Sequence, residues 1–461
     1  MKNMTLRNIA EAVEGELVLN GADPETEITG AELDSRKITA GNLFFATVGE
    51  RVDGHTFIPQ VFEKGASCVI CEKRPENAKG AYILVKSSFS ALEKAAEFYR
   101  SQLKCKVVAI TGSVGKTSTK ETIAAVLSEK YTILKTAGNL NNNIGLPLMV
   151  LSIRDEHEIA VLELGISHFG EMVRMDKIAR PDIAVITNIG TSHMENLGSQ
   201  QGIYEEKSHI FDYLSENGIA VLNGDDPILS TVKDAKGHKV LYFGDGENAY
   251  ARITDIESKG LDGSDFTIKL ADKEEAFRAH ISLSGEHMVR NAACASLIAE
   301  YFGLTEEQII KGIEAVKPMS GRSNVIHAGD SIILDDCYNA NPDSMKAAVD
   351  MLMLAKGRTV AILGDMYELG ENEKAMHREV GKYAAEAGVD VLVAIGGLGE
   401  EIYNGALESE KAEKYFYKTK DDFFADMENV LKNGDNILVK ASHGMHFEEI
   451  VEKLTKGVER S

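Results

Sequence analysis

The sequence predicts an α/β protein of three units: a small mixed α/β unit followed by two parallel-sheet units. Three observations predict it. At 461 residues the chain has room for roughly three domains at the usual ~100–200 residues each. Short apolar strands alternate with amphipathic helices along most of its length, the rhythm of parallel sheets covered on both faces. That rhythm stops at Lys317-Pro318 and the Ser320-Gly321 turn, then starts afresh. The expected units are therefore residues 1–104, 105–317 and 318–461.

In the first unit, helical spacing over 6–13, 55–63 and 92–102 is mixed with strand-like runs at 42–48 and 82–85. Residues 1–20 alternate charged and apolar side chains as an amphipathic helix does, without a signal-peptide pattern. The second unit reads strand, turn, helix repeatedly: KVVAI then TKETIAAVL, EIAVLEL then EMVRMDKIA, DIAVITN then GIYEEKSHIFDYL, GIAVLNG then PILSTVKDA. A β-rich insertion is expected over 251–283, and helices over 287–316. The third unit runs SIILDDC, SMKAAVDMLML, TVAILGD, KYAAEAG, VLVAIGG and NILVKAS, the pattern of a doubly wound, Rossmann-like sheet.

Fifty basic against 72 acidic residues leave a net charge of −22, which excludes general affinity for nucleic acid or anionic membrane, since both need a basic face. No apolar run approaches the ~20 residues of a membrane span. Five scattered cysteines suit a reducing compartment, so a cytoplasmic protein is expected. Cys68 and Cys71 form a CxxC, but within a strand-like apolar run and with no second pair to complete a zinc site.

The chemistry is concentrated at Ile110-Thr111-Gly112-Ser113-Val114-Gly115-Lys116-Thr117-Ser118-Thr119. A buried strand precedes it and a helix follows, so the glycines fall in the strand-to-helix turn of a phosphate loop. Gly112 and Gly115 let backbone N–H groups approach phosphates, Lys116 supplies a cation, and Thr117 offers a hydroxyl to Mg²⁺. Ile110 stands where the longer GxxxxGK[ST] pattern has its first glycine. Glu163 ends the strand IAVLEL, and Asn188, Thr191 and His193 follow DIAVITN; ligands of such sheets bind outside the carboxyl ends of the strands. A glutamate and a histidine arriving there could hold magnesium.

Nearly end to end, the chain resembles the Mur ligases, ATP-dependent amide-forming enzymes that build the peptidoglycan precursor peptide. The resemblance is carried by TGSVGKTST, ELG at Glu163, TNIGTSHMENLGS, EEKSHIF with Lys207, LNGDDP, GEHMVRNAACA, Gly321-Arg322 and Asp335-Asp336. The run TAGNLNNNIGLP, and DCYNANP from Asp336 to Pro342, resemble the branch that adds D-alanyl-D-alanine to UDP-N-acetylmuramoyl-tripeptide. DSR at Asp34 to Arg36, Asn42-Leu-Phe-Phe and Asp53-Gly-His55 resemble a UDP-sugar domain shared with the ligase adding the third residue. That sister ligase is the nearest alternative, and a folylpolyglutamate-synthase-like ligase a more distant one. The sister's DNPR-type signature is absent here.

The resemblance implies two magnesium ions, phosphoryl transfer from ATP to a carboxylate, and attack of an amine on the acyl phosphate. ATP would be held by Thr111, Gly112, Ser113, Val114, Gly115, Lys116, Thr117 and Ser118, with Asn291, Arg322, Asp336 and Asn339. Metal would be held by Thr117, Glu163, His193 and Lys207, the last carbamylated by CO₂. Catalysis would fall to Lys116, Lys207, His193 and Glu163. Ser35, Arg36, Asp53, Gly54, His55, Asn139 and Asn142 would meet the UDP-linked peptide and the acceptor. Asn-Ala-Asn-Pro also reads as a helix cap for SMKAAVDML. No nucleic-acid partner, no membrane insertion and a monomer are expected. Lys440-Ala441-Ser442-His443 departs from the family's KGS pattern, alanine restricting φ where glycine does not, and no role is carried onto Lys440 or Ser442.

Overall fold

The computed structural model describes residues 1–49 and 52–458, which form three sheets with helices packed on them. The first is five-stranded, in the order Glu16–Val18, Ala81–Leu84, Cys68–Cys71, Asn42–Phe45, Gly30–Glu32. All its pairings are parallel except that of the edge strand Glu16–Val18. Its longest helix, Ser88–Arg100, starts where Ser87 accepts a hydrogen bond from the Ser90 N–H, which satisfies one of the orphan donors of a helix start. The helix expected over 6–13 is Leu6–Ala12, and the amphipathic alternation of residues 1–20 does not carry it further. Glu14 turns into left-handed backbone, φ +56°, and the chain re-enters the sheet as Glu16–Val18.

The second sheet has nine strands. The phosphate-loop strand Lys106–Thr111 lies between Ile159–Glu163 and Ile183–Ile186, all three buried on both faces. Residues 251–283 are no separate insertion. Ala251–Ser258 continues the sheet in parallel, and Ser264–Leu270 and Phe277–Ile281 extend it antiparallel. Nor does PILSTVKDA form a regular helix. Only Leu229–Thr231 turns, as a short 3-10 segment, because Asp226 Oδ1 accepts from the N–H groups of Ile228 and Leu229 while β-branched Val232 is extended. Asp226 Oδ2 also accepts from Ile189 N–H, so the turn braces the loop that carries His193.

The third sheet has six strands, in the order Asn324–Ala328, Ser331–Asp335, Asn436–Lys440, Thr359–Gly364, Val391–Ile395, Glu413–Tyr417, parallel except for the first. The hairpin strand Asn324–Ala328 and the half-exposed edge strand Glu413–Tyr417 escape a reading based on apolar runs.

Cys68 and Cys71 lie in one buried strand but in different apolar cores, since residues three apart on a strand face opposite ways. All five cysteines are free and buried, and burial pushes the Cys71 thiol up to about 11. Among the described residues no helix is long and apolar enough to cross a membrane.

Asp176, on the helix Glu171–Ala179, is fully buried. Burial pushes its carboxyl up to about 8, although it accepts from the Tyr213 N–H. The folded state therefore keeps a proton that the unfolded chain gives up near pH 4, and stability falls as pH rises from about 4 to 8, by at most ~1.4 kcal/mol per unit from this group. Denaturant titrations across that range should show the decline in the natural protein and flatten it in Asp176→Asn.

Candidate active site

The strand Lys106–Thr111 ends in a turn whose backbone only glycine suits. Gly112 has φ +151°, and a Cβ there would lie 1.9 Å from Thr187 Oγ1. Gly115, φ +81°, is the N-cap of the helix Lys116–Leu127 and caps it with no side chain. The first-turn N–H groups thus face the cavity, where an anion satisfies them and meets the positive end of the helix dipole. Asn188 Oδ1 accepts from Ser113 N–H at 3.0 Å and from Val114 N–H at 2.9 Å, and Thr187 Oγ1 donates to Val114 O at 2.7 Å. The loop is therefore held from the strand beside it.

Two lysines converge on one carbonyl. Lys116 Nζ donates to Gly112 O at 2.7 Å and Lys207 Nζ to the same oxygen at 3.1 Å. Lys207, on the helix Gln200–Ser208, is 1% exposed. Burial and then the Lys116 cation hold its ammonium well below the usual range. Burial lowers Lys116 too, against the pull of Glu163. The neighbouring Glu206, held by the N–H groups of Gly170 and Met172, pulls the Lys207 ammonium back up, but burial outweighs it.

Glu163 is buried and takes hydrogen bonds from Thr117 Oγ1 and Asn141 Nδ2, both at 2.9 Å. A hydroxyl and a carboxylate side by side at the phosphate loop are the oxygen donors that Mg²⁺ prefers, with phosphate oxygens and water completing its octahedron. Among the described residues no group of three or more His, Cys, Asp or Glu could close a cage by itself, as suits an ion that shares its shell with a nucleotide. His193, φ +62°, is the N-cap of the short helix Met194–Leu197 and lines the same cavity. Its Nδ1 is buried without an aligned hydrogen bond, 2.9 Å from Glu368 Oε2 of the third unit. The donor set fits magnesium.

The cavity, about 560 Å³, is closed by the third unit. Asn341 Nδ2 donates to Ser192 Oγ at 2.9 Å, and Thr191 Oγ1 to Asp343 Oδ2 at 3.2 Å. The Arg322 guanidinium lies 3.9 Å over the Tyr338 ring, which stacks on His443. Lys440, 2% exposed, bonds Asp336 Oδ2 at 2.5 Å and Asn339 O at 2.9 Å. Asn291 Oδ1 accepts from Thr119 Oγ1 at 2.8 Å.

Of the residues expected in the site, Ser113 to Ser118, Glu163, His193, Asn291, Arg322, Asp336, Asn339 and Asn142 line the cavity. Thr111 and Gly112 are buried beneath it, and Lys207 reaches Gly112 from behind. The structure does not bring Ser35, Arg36, Asp53, Gly54, His55 or Asn139 to this cavity. Arg36 is 85% exposed and paired with Asp34. Asp53 binds His55 Nδ1 at 2.6 Å, and His55 Nε2 accepts from Glu72 N–H. Asn139 is exposed, and Asn142 Oδ1 accepts from Gly145 N–H at the start of the helix Gly145–Leu151. Sequence reasoning missed Asn141 and Lys440. Asn141 was hidden in a run of three asparagines, and Lys440 was set aside because Ala441 departs from the family's KGS pattern.

Three family models match: "Mur ligase family, catalytic domain" over residues 27–108, "Mur ligase middle domain" over 110–299, and "Mur ligase, glutamate ligase domain" over 321–443. The chain is 40% identical to the UDP-N-acetylmuramoyl-tripeptide–D-alanyl-D-alanine ligase of Bacillus subtilis, covering 98% of this chain and 99% of the relative. It is 35% identical to that of Escherichia coli over the same shares. Among solved structures it is similar to MurF from Acinetobacter baumannii (TM-score 0.89, 33% identity, 98% of each chain). It is also similar to the MurF ligase of Thermotoga maritima in complex with ADP (TM-score 0.82, 31% identity, 94% of this chain and 98% of that one).

Removing the Asn188 amide should free the Val114 N–H, leave Ser113 N–H only the Asn188 backbone carbonyl, and loosen the loop. Asn188→Ala should weaken binding of an ATP analogue by about 1–3 kcal/mol, the usual cost of a buried hydrogen-bond partner lost, as read by calorimetry.

Proposed function

The chain belongs to the Mur ligase family, and from that premise we infer that it joins D-alanyl-D-alanine to UDP-N-acetylmuramoyl-tripeptide with consumption of ATP, giving the UDP-linked pentapeptide of peptidoglycan synthesis. The observation that carries this reading is the single cavity in which the phosphate loop, Glu163, His193 and the Asp336–Asn341 loop of the third unit meet. Full-length identity to ligases of that name supports the choice of substrates.

A carboxylate is a poor acylating agent because its leaving group would be oxide. A peptide carboxylate oxygen therefore attacks the γ-phosphorus, the O–P bond forms, the bond to the β-phosphate breaks, and ADP leaves. The amine then attacks the acyl carbon, loses a proton, and phosphate departs with the former carboxylate oxygen. Both steps bring anions together, so electrostatic stabilisation is the main task. Lys116 turns from Gly112 O to the phosphates, and the first-turn N–H groups of Lys116–Leu127 hold them. Thr117 and Glu163 would hold one Mg²⁺, and His193 with a modified Lys207 the second; bound there, the ions would neutralise charge on the transferring phosphoryl group.

For Lys207 to serve a cation it must become an anion. Its buried, depressed amine is the neutral form that attacks CO₂: an N–C bond forms, an electron pair moves to oxygen, and a proton is released, leaving a carbamate. Asp336, Asn339, Arg322 and Asn291 hold the nucleoside and phosphates as the third unit closes, which keeps water from the acyl phosphate. Ser35, Arg36, Asp53, Gly54 and His55, on residues 1–104, receive the UDP end, and Asn139 and Asn142 lie on the path of the peptide. Residues 105–317 bind ATP and 318–461 close over it. The enzyme acts as a cytoplasmic monomer on nucleotide-linked precursors.

ADP release with Mg²⁺, ATP and UDP-N-acetylmuramoyl-tripeptide should depend on D-alanyl-D-alanine and yield the pentapeptide by mass; turnover with a single amino acid on the dipeptide precursor would instead assign the sister activity. Lys116→Ala should lower kcat at least ~100-fold, as loss of a transition-state donor does. Stripping CO₂ should lower turnover and bicarbonate restore it. A ¹³C carbamate resonance seen with labelled bicarbonate should vanish in Lys207→Ala.

A further inference from the structure

We propose that Glu368 is a positioning residue that orients the His193 ring from the third unit, so that the metal-facing side of the site is completed only when that unit is seated on the central one. The proposal rests on His193 serving a metal as read above. Nδ1 of His193 lies 2.9 Å from Glu368 Oε2 and is buried with no aligned hydrogen bond. Pairing Nδ1 with a carboxylate fixes the proton there and leaves Nε2 with its lone pair for a ligand, as outer carboxylates do for metal-binding histidines.

The backbone on both sides is arranged for this contact. His193 and Glu368 are both non-glycine residues in left-handed conformation, φ +62° and +61°, a conformation that costs energy and persists where the surroundings enforce it. Around Glu368 the enforcement is visible. Asp365 accepts from the N–H groups of Gly397 and Leu398. Met366 N–H donates to the buried His377 Nε2 at 2.8 Å, and Tyr367 N–H to Ser442 Oγ at 2.9 Å. Three consecutive residues are thus held by side chains or loops from elsewhere in the third unit, and Glu368 is the next residue out. Beyond it, a Cβ on Gly370 would lie 3.4 Å from Glu195 Cβ, so this turn abuts the helix that His193 begins.

The Glu368 side chain is 60% exposed, and exposed ion pairs add little to stability. Orientation of the ring, rather than adhesion of the two units, is what the contact provides. The motif behind it, Gly364-Asp-Met-Tyr-Glu-Leu-Gly370, has no other assigned part in the reaction, and Ser442 of the atypical Lys440–His443 segment acquires one.

Mn²⁺ titrated into the full-length protein with a non-hydrolysable ATP analogue, with free Mn²⁺ read by electron paramagnetic resonance, tests the proposal. Glu368→Ala should weaken one of the two ions about tenfold or more and leave the other unchanged, the usual effect of losing such a partner. Glu368→Gln should lose less, and Glu371→Ala, one turn on and facing solvent, should match the natural protein. In a His193→Ala background Glu368→Ala should have no further effect, the signature of a coupled pair. Thermal melts of all variants should coincide. Unchanged Mn²⁺ affinity in Glu368→Ala, an equal loss in the His193→Ala background, or no second Mn²⁺ in the natural protein would each overturn the proposal. Pentapeptide synthesis by the natural protein is scored separately: its failure would remove the functional reading, whereas its success beside an unchanged Glu368→Ala titration would remove this inference alone.

Discussion

One carbonyl oxygen, that of Gly112, takes hydrogen bonds from two lysines, and the phosphate-binding end of the site is organised around it. Two carboxylates stand beside the lysines, Glu206 fixed by the Gly170 and Met172 N–H groups and Glu163 by Thr117 and Asn141. Burial works against both ammonium groups. The uncapped start of Lys116–Leu127 adds its partial positive charge. A chain with net charge −22 thus gathers at this point two lysines and a helix start that can meet phosphate. It can bind a highly charged nucleotide without a basic surface that would attract nucleic acid.

The folds around this point explain how distant residues reach it. Lys106–Thr111 lies between Ile159–Glu163 and Ile183–Ile186, so the residues that end those three strands reach the cavity within one layer. Asn341 shows the same economy in the third unit. Its Oδ1 accepts from Ser344 N–H as the cap of the helix Pro342–Leu352, while its Nδ2 donates to Ser192 of the central unit. The helix cap and the inter-unit contact are one residue, so the helix-cap reading of Asn-Ala-Asn-Pro holds and the same side chain also ties the two units together. Lys440 similarly ends a buried strand and ties together Asp336 and Asn339, which makes it part of the wall despite the altered Ala441 beside it.

Much of this was legible in the sequence where chemistry and local rules coincide. The phosphate loop needs a strand before it and a helix after it, and both are written in plain apolar periodicity. Glu163 and His193 were found because strand ends in parallel sheets are where ligands sit. What the sequence hid depends on tertiary placement. PILSTVKDA carries helical spacing, yet Asp226 draws its N–H groups into a short turn. Residues 251–283 look like an insertion because their pairing with Lys239–Gly244 is a long-range event. Asn141 and Asn142 are chemically identical neighbours, and only the fold decides that the first meets Glu163 and the second starts a helix. The contact of Glu368 with His193 spans two units and leaves no local trace.

The central claim is that the cluster at Gly112 serves phosphoryl transfer to a carboxylate, with ATP as an activating reagent. The most direct measurement is to label the terminal carboxylate of UDP-N-acetylmuramoyl-tripeptide with ¹⁸O, run the reaction with ATP and D-alanyl-D-alanine, and analyse the released phosphate by mass. One labelled oxygen per phosphate, in step with each amide bond formed, is the predicted result. Unlabelled phosphate accompanying pentapeptide formation would contradict it, because the carboxylate would then have been activated without ever bonding to phosphorus.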